Sequence, residues 1–334
     1  MRALQLVAPS ELAVVDLPVP QPGPGEVRLR VKACGICGSD LHGMDGSSGR
    51  RIPPLVMGHE ASGTVDAAGE GVSAWKPGDR VTFDSTVWCG ECGYCREGRV
   101  NLCDSRQVVG VACAEFRRDG AFAEFVTVPQ RILHRLPDAL SFEEAAFAEP
   151  VGVALHAVRR AGDVAGKTVL VVGAGLIGLL IVQALKRAGA GKVIAVDLDE
   201  GRLKLARELG ADVALQGGGT PPLLEVDVAM EVVGAASTVD FAIRSVRKGG
   251  CVVLVGNLSP NVPLPLQVVV TRELDVLGSC AIAGEYPEAL EAIASGSIRV
   301  KPLITAAIGL ENGVDAFAKA KAPGALKVLI TDYQ

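Results

Sequence analysis

The chain has 334 residues, too many for one ordinary domain, and it is 49% hydrophobic but only 4% aromatic, so its cores must be built from Val, Leu, Ile and Ala. With 33 basic against 38 acidic residues, the formal charge of -5 excludes the electrostatic footprint of a nucleic-acid or anionic-membrane binder and points to a small-molecule partner. The opening MRALQLVAPS has no basic stretch followed by an apolar run, so no secretion signal is expected and a cytoplasmic location is.

In chain order, LPVPQPGPGE is a turn-rich connection, and after it Val27, Leu29, Val31 and Ala33 alternate with Arg28, Arg30 and Lys32, the period of a half-buried strand. Further strands are expected at Gly63–Ala67, Arg80–Phe83 and Ala121–Val128, which makes residues 1–150 a β-rich domain with long loops. Two of those loops, ACGICGSDLH (33–42) and VMGHEASG (56–63), gather metal-ligating side chains. A zinc that works on substrate needs three protein ligands and an open position. Cys37 and His59 offer a thiolate and an imidazole, and the third ligand is a carboxylate from Glu60 or Glu149. Cys34 and Cys37 also spell C-x-x-C, but the βαβ surroundings of a redox motif are missing, so Cys34 reads as a small buried residue. In the loop GSSGRR, Arg50 and Arg51 are expected at the surface; lining the pocket, they would suit a phosphorylated or carboxylated substrate.

Cys89, Cys92, Cys95 and Cys103 follow as C-x2-C-x2-C-x7-C. Four thiolates at this range close a tetrahedral zinc shell, a structural site with no place for substrate. The bacterial ferredoxin run begins alike but continues x3-C-P, whereas here the gap is seven and Asp104 follows. Glu91 and Glu97 argue against a nucleic-acid ribbon. Cys113, Cys251 and Cys280 read as small buried hydrophobes, and His134 and His156 as packing or surface residues.

From Thr168 the texture changes: the apolar runs TVLVV, KVIAV, VDVAMEVV and GCVVLVG alternate with helical patterns, so 151–284 reads as a doubly wound α/β domain on a parallel sheet. Gly173, Gly175 and Gly178 make G-x-G-x-x-G between strand and helix, with Leu176 and Ile177 inside the turn, which seats a dinucleotide pyrophosphate on the helix N-terminus. Asp197, nineteen residues past Gly178, suits the adenine-ribose hydroxyls; with Asp199 and Glu200 beside it and Arg202 the nearest cation, NAD is favoured over NADP. The same glycines argue against a membrane span over Val169–Leu185. Leu274–Leu277 is expected as an edge strand, and the tail 285–334 returns to short elements, with a helix at Pro287–Ser295 and a strand at Lys327–Thr331.

CGICGSDLH, GHEASGTVDAAGEGV, the four-cysteine lobe and VGAGLIG followed by Asp197 together resemble the zinc-dependent medium-chain dehydrogenases, the alcohol and polyol dehydrogenase family. The resemblance implies a GroES-like catalytic domain (1–150 resumed by 285–334, with the lobe at 89–103), a Rossmann NAD-binding domain (151–284) and an active site in the cleft between them. It implies one catalytic and one structural zinc per chain, Cys37 and His59 as catalytic ligands, and Glu60 as a ligand or exchange partner. Glu149 stands where the better-known alcohol dehydrogenases carry a cysteine, which points to the polyol, butanediol and threonine branch. Ser39 resembles the hydroxyl that takes the substrate proton, and His42 the outer end of that relay. The expected reaction is oxidation of a polyol or diol secondary alcohol to a ketone by a homodimer or homotetramer. The alternatives are L-threonine or phosphorylated-polyol oxidation, a zinc-independent quinone or enone reductase, and a non-catalytic zinc-ribbon module.

Overall fold

Alternating burial makes the first long strand, β1 (Glu26–Gly35), whose apolar residues face the core while Arg30 and Lys32 face solvent. The computed structural model describes residues 1–217 and 224–333. After β1 come α1 (Gly38–Gly43), β2 (Glu60–Ala68), β3 (Arg80–Phe83), β4 (Phe125–Pro129) and β5 (Leu133–Arg135). The expected strand at Ala121–Val128 is shorter than its sequence pattern. Ala121 and Phe122 donate instead to the carbonyls of Gly58 and Met57, so a turn and not a sheet satisfies that backbone.

The chain leaves this first compact unit within α2 (Ala148–Arg160), where Pro150 sits in the first turn and its missing N–H costs nothing. The second unit, Pro150–Ala281 with Gly296–Arg299, then alternates β6 (Thr168–Val172), α3 (Leu176–Arg187), β7 (Lys192–Asp197), α4 (Glu200–Glu208), β8 (Val213–Gln216), β9 (Val226–Glu231), α5 (Ala236–Arg244), β10 (Val246–Leu254) and β11 (Asp275–Gly278). The strands form one parallel sheet ordered β8-β7-β6-β9-β10-β11, with β11 at its edge. Val169–Leu185 is thus a buried strand, a glycine turn and a helix buried over Gly178–Leu185, and among the described residues no helix is long and apolar enough to cross a membrane.

The chain returns to the first unit with α6 (Tyr286–Ala294), β12 (Ile304–Gly309) and β13 (Lys327–Thr331). Its main sheet runs β5-β3-β2-β1-β13-β12, with β4 also paired to β1. In the register, Gly35 of β1 stands opposite Glu60 of β2 on one side and Leu329 of β13 on the other. A strand contributed from the far end of the sequence therefore lies one strand away from the GHE segment.

Candidate functional site

The end of β1 and the start of β2 bring Cys37, His59 and Glu60 together: one donor atom from each lies within 4.8 Å of the others. His59 and Glu60 are buried and Cys37 is partly exposed. Burial, reinforced by Glu60, pushes the Cys37 thiol up to about 12. Glu149, on the first turn of α2, lies outside the 4.8 Å group but feels His59, Glu60 and Cys37, and burial pushes its carboxyl up to about 8. These groups cannot ionise together at low cost unless a divalent cation joins them. A thiolate, an imidazole and a carboxylate are the donor set of zinc with a position left open, so the residues fit the metal.

Behind these side chains lie two buried ion pairs. Lys327, 2% exposed, pairs with Oε2 of Glu60 and donates to the Ile36 carbonyl at 3.0 Å. Desolvation opposes its charge, but Glu60 and Cys37 outweigh it and hold the ammonium above its ordinary value. The bridge exists because Gly35 has no side chain: a Cβ there would lie 2.2 Å from Glu60 Oε2 and 3.2 Å from Lys327 Cδ. The second pair joins Arg51 Nη2 to Asp40 Oδ1 at 2.9 Å. Asp40 is fully buried, accepts from the Cys37 N–H at 3.2 Å through Oδ2, and sets Oδ1 3.6 Å from Nδ1 of His59. That ring nitrogen is buried without a hydrogen bond, so the carboxylate faces one side of the imidazole and leaves Nε2 for a metal.

Arg51 is 4% exposed, which corrects the expectation of a surface residue, whereas Arg50 is exposed. Ser39 and His42 are both exposed on α1. Cys34 is buried as expected, but Cys113 and Cys251 are only partly buried and Cys280 is exposed, against the expectation of three core cysteines. His134 stacks on Tyr286, with ring centroids 4.8 Å apart.

In the lobe, the sulfurs of Cys89, Cys92, Cys95 and Cys103 also lie within 4.8 Å of one another. Those of Cys89 and Cys95 are 3.9 Å apart. Sulfurs on a tetrahedron with bonds of about 2.3 Å stand about 3.8 Å apart, so the lobe fits zinc and is too open for a disulfide. Backbone N–H groups of Glu91 and Cys92 point at Cys89 at 3.5 and 3.4 Å and pull its thiol down to about 6. Cys95 N donates to Cys92 at 3.5 Å, and Cys89 N to Cys103 at 3.3 Å.

The glycine turn is built for close approach. Gly173 holds φ at +99°, and a Cβ on Gly178 would lie 1.8 Å from the Gly173 carbonyl oxygen. Gly175 is the N-cap of α3, with Leu176 and Ile177 opening the helix. Asp197 ends β7; its carboxylate accepts from Ala174 N at 2.6 Å and Asp199 N at 2.9 Å, which ties the acid to the turn. Beyond the carboxyl ends of these strands opens a cavity of about 510 Å³ lined by Gly173, Asp197, Arg202, Val233 and Phe241 among others. Asp199 caps α4 by accepting from Arg202 N at 3.0 Å. The first unit has a cavity of about 540 Å³ lined by Gln5, Arg118 and Phe125, but it holds none of the candidate residues, and Arg118 is already bonded to Gln107 at 2.6 Å.

Lys327 was missed by sequence reasoning, as was the commitment of Arg51 to Asp40. Nothing local marks Lys327, which lies in an ordinary apolar strand. For Arg51 the one signal is Gly43, where a Cβ would meet Arg51 Cγ at 2.9 Å.

Comparison with known proteins matches residues 23–138 to the alcohol dehydrogenase GroES-like domain and residues 177–295 to zinc-binding dehydrogenase. The chain is 38% identical to a sorbitol dehydrogenase of Macaca fascicularis over 98% of its own length and 95% of the relative's. Among solved structures it is similar to a zinc-binding dehydrogenase of Sinorhizobium meliloti 1021 bound to NADP (TM-score 0.90, 35% identity, 99% of this chain and 98% of that one). It is also similar to the 2R,3R-butanediol dehydrogenase of Bacillus subtilis (TM-score 0.89, 32% identity, 99% of each chain).

Proposed function

Because the chain belongs to the zinc-dependent alcohol and polyol dehydrogenase family, we propose that it oxidises the secondary hydroxyl of a polyol or vicinal diol to a ketone at Cys37, His59 and an acidic ligand, with NAD as acceptor. The alcohol loses a hydride to NAD and a proton to solvent, yielding ketone and NADH. The convergence of those three donors within 4.8 Å carries the reading, since a zinc-independent reductase has no use for it. When bound, the zinc supplies Lewis acidity that lowers the pKa of the substrate hydroxyl, and NAD accepts the hydride.

The chain's own residues do the rest. Ser39, two positions past Cys37, accepts the hydroxyl proton, and exposed His42 passes it toward solvent. Asp40 orients His59, and Lys327 holds Glu60 while Glu149 approaches from α2. Glu149 also offers a hydrogen-bond acceptor to a second substrate hydroxyl, which favours polyols and diols over simple alcohols. Asp197 favours NAD, since its charge opposes a 2'-phosphate. Free cysteines suit a cytoplasmic setting, and the exposed edge of β11 suits a homodimer or homotetramer.

The test is NADH absorbance against sorbitol, other polyols, phosphorylated polyols, vicinal diols and L-threonine, before and after chelation. Turnover of a polyol or diol that chelation abolishes and zinc restores is expected. Turnover only of quinones or enones, indifferent to chelation, defeats the reading.

A further inference from the structure

Among the described residues, Arg51 is the one buried arginine, and its guanidinium touches both the relay serine and the carboxylate behind the histidine. Its Nη2 lies 2.9 Å from Asp40 Oδ1 and 3.3 Å from Ser39 Oγ, and its Nη1 donates to the Arg50 carbonyl at 3.2 Å. Its Nε is buried and finds no acceptor, so the side chain is placed by what its two terminal nitrogens hold. Gly43 leaves the room its stem occupies. A guanidinium committed in this way is not a free anchor for a substrate phosphate.

We infer that Arg51 is a positioning residue for the proton relay, acting through Ser39. The inference rests on the functional reading above. A hydroxyl oxygen accepts two hydrogen bonds and donates one. With the Arg51 N–H on one acceptor position, Ser39 keeps the other for the substrate O–H and has its own single proton left to pass on along the relay. As the substrate proton arrives at Oγ, the original serine proton leaves for the next acceptor, so one proton is carried out and Ser39 ends neutral. The neighbouring cation also disfavours positive charge on Oγ, so uptake and release are coupled and Ser39 does not hold two protons. Lysine is not equivalent: its ammonium can face Asp40, but it lacks the second terminal nitrogen that bonds the Arg50 carbonyl and the planar geometry that fixes the two Nη2 protons on Asp40 and Ser39.

Arg51→Lys keeps the charge beside Asp40 and is the primary variant, with Ser39→Ala as the second background. The expected results for Arg51→Lys are a loss of kcat of about tenfold or more, less than the roughly 10²–10⁴-fold contributed by a group that itself transfers the proton because Arg51 acts through Ser39, and a larger solvent deuterium isotope effect on kcat. NADH affinity and bound zinc, measured directly on the purified protein, should not change. In the Ser39→Ala background the same substitution should cost nothing further, since its route of action is gone. Three results overturn the proposal: wild-type kcat in Arg51→Lys, an equal loss in both backgrounds, or loss of zinc from Arg51→Lys, which would assign the arginine to the metal shell. A wild-type chain that oxidises no secondary alcohol overturns the functional reading itself and the inference with it, so the two failures are told apart.

Discussion

At the scale of single residues, the least replaceable position beside the metal candidates is a glycine. Gly35 leaves the space in which Glu60 meets Lys327, and any side chain there enters the space of their ion pair. Gly35→Ala is therefore expected to split a buried pair and cost about 3 kcal/mol, with weakened zinc retention. Chemical denaturation and metal analysis check this; an unaltered unfolding midpoint would mean that the sheet yields at no cost. A second residue-scale effect concerns acid stability. Desolvation holds the His134 imidazole at about 4 instead of 6.5. Between those values the unfolded chain binds a proton that the folded chain refuses, so stability falls as pH falls. Asp84 acts oppositely: desolvation raises its carboxyl from 3.8 to about 6, so the folded chain takes up its proton first and stability rises on acidification. The two effects offset between about 4 and 6. His134→Phe keeps an aromatic ring on Tyr286 and removes one of them, so the variant's urea midpoint should gain on wild type as pH drops from 6.5 toward 4. A gap independent of pH would assign the effect to packing alone.

At the scale of elements, the turn between β6 and α3 works only if strand and helix nearly touch. Gly178→Ala pushes a methyl into the Gly173 carbonyl, so α3 must shift and the N–H groups at its start lose their aim. NADH affinity should fall by about tenfold or more, roughly 1.4 kcal/mol, while zinc content stays at the wild-type level. Fluorescence titration of NADH decides it, and loss of zinc with cofactor intact would contradict the division of labour between the units. This turn and the four-cysteine lobe were legible in the sequence because their partners lie within a few residues and local backbone geometry dictates the pattern. Pairings made by topology were not. Lys327 and Glu60 are 267 positions apart and meet only because β13 docks on β1. Arg51 looked solvated in a run of Gly, Ser and Arg, and only the fold of that loop over α1 turns it inward onto Asp40. The overlong strand at Ala121–Val128 failed for a related reason, since alternation cannot tell a sheet partner from the turn at Met57 and Gly58.

At the scale of the whole molecule, the second unit ends on an edge that invites association. β11 is the last strand of its sheet, and the helix Leu266–Thr271 precedes it. Val268 and Val269 of that helix pack on the core, but Leu266 and Val270, one helical turn apart, are each 64% exposed, with Leu264 nearby at 44%. A strand with one open edge beside exposed aliphatic side chains is costly in a lone chain, and a second copy covering both would relieve that cost. Replacing Leu266 and Val270 together with Lys adds charge to that face without opening a cavity, so the monomer should keep its stability. A self-associating wild type should then dissociate, because two copies would bring like charges into a buried contact. Light scattering across a concentration series reads the outcome. A double variant that keeps the wild-type mass would show that the chains assemble through a different surface and that this apolar face serves another purpose.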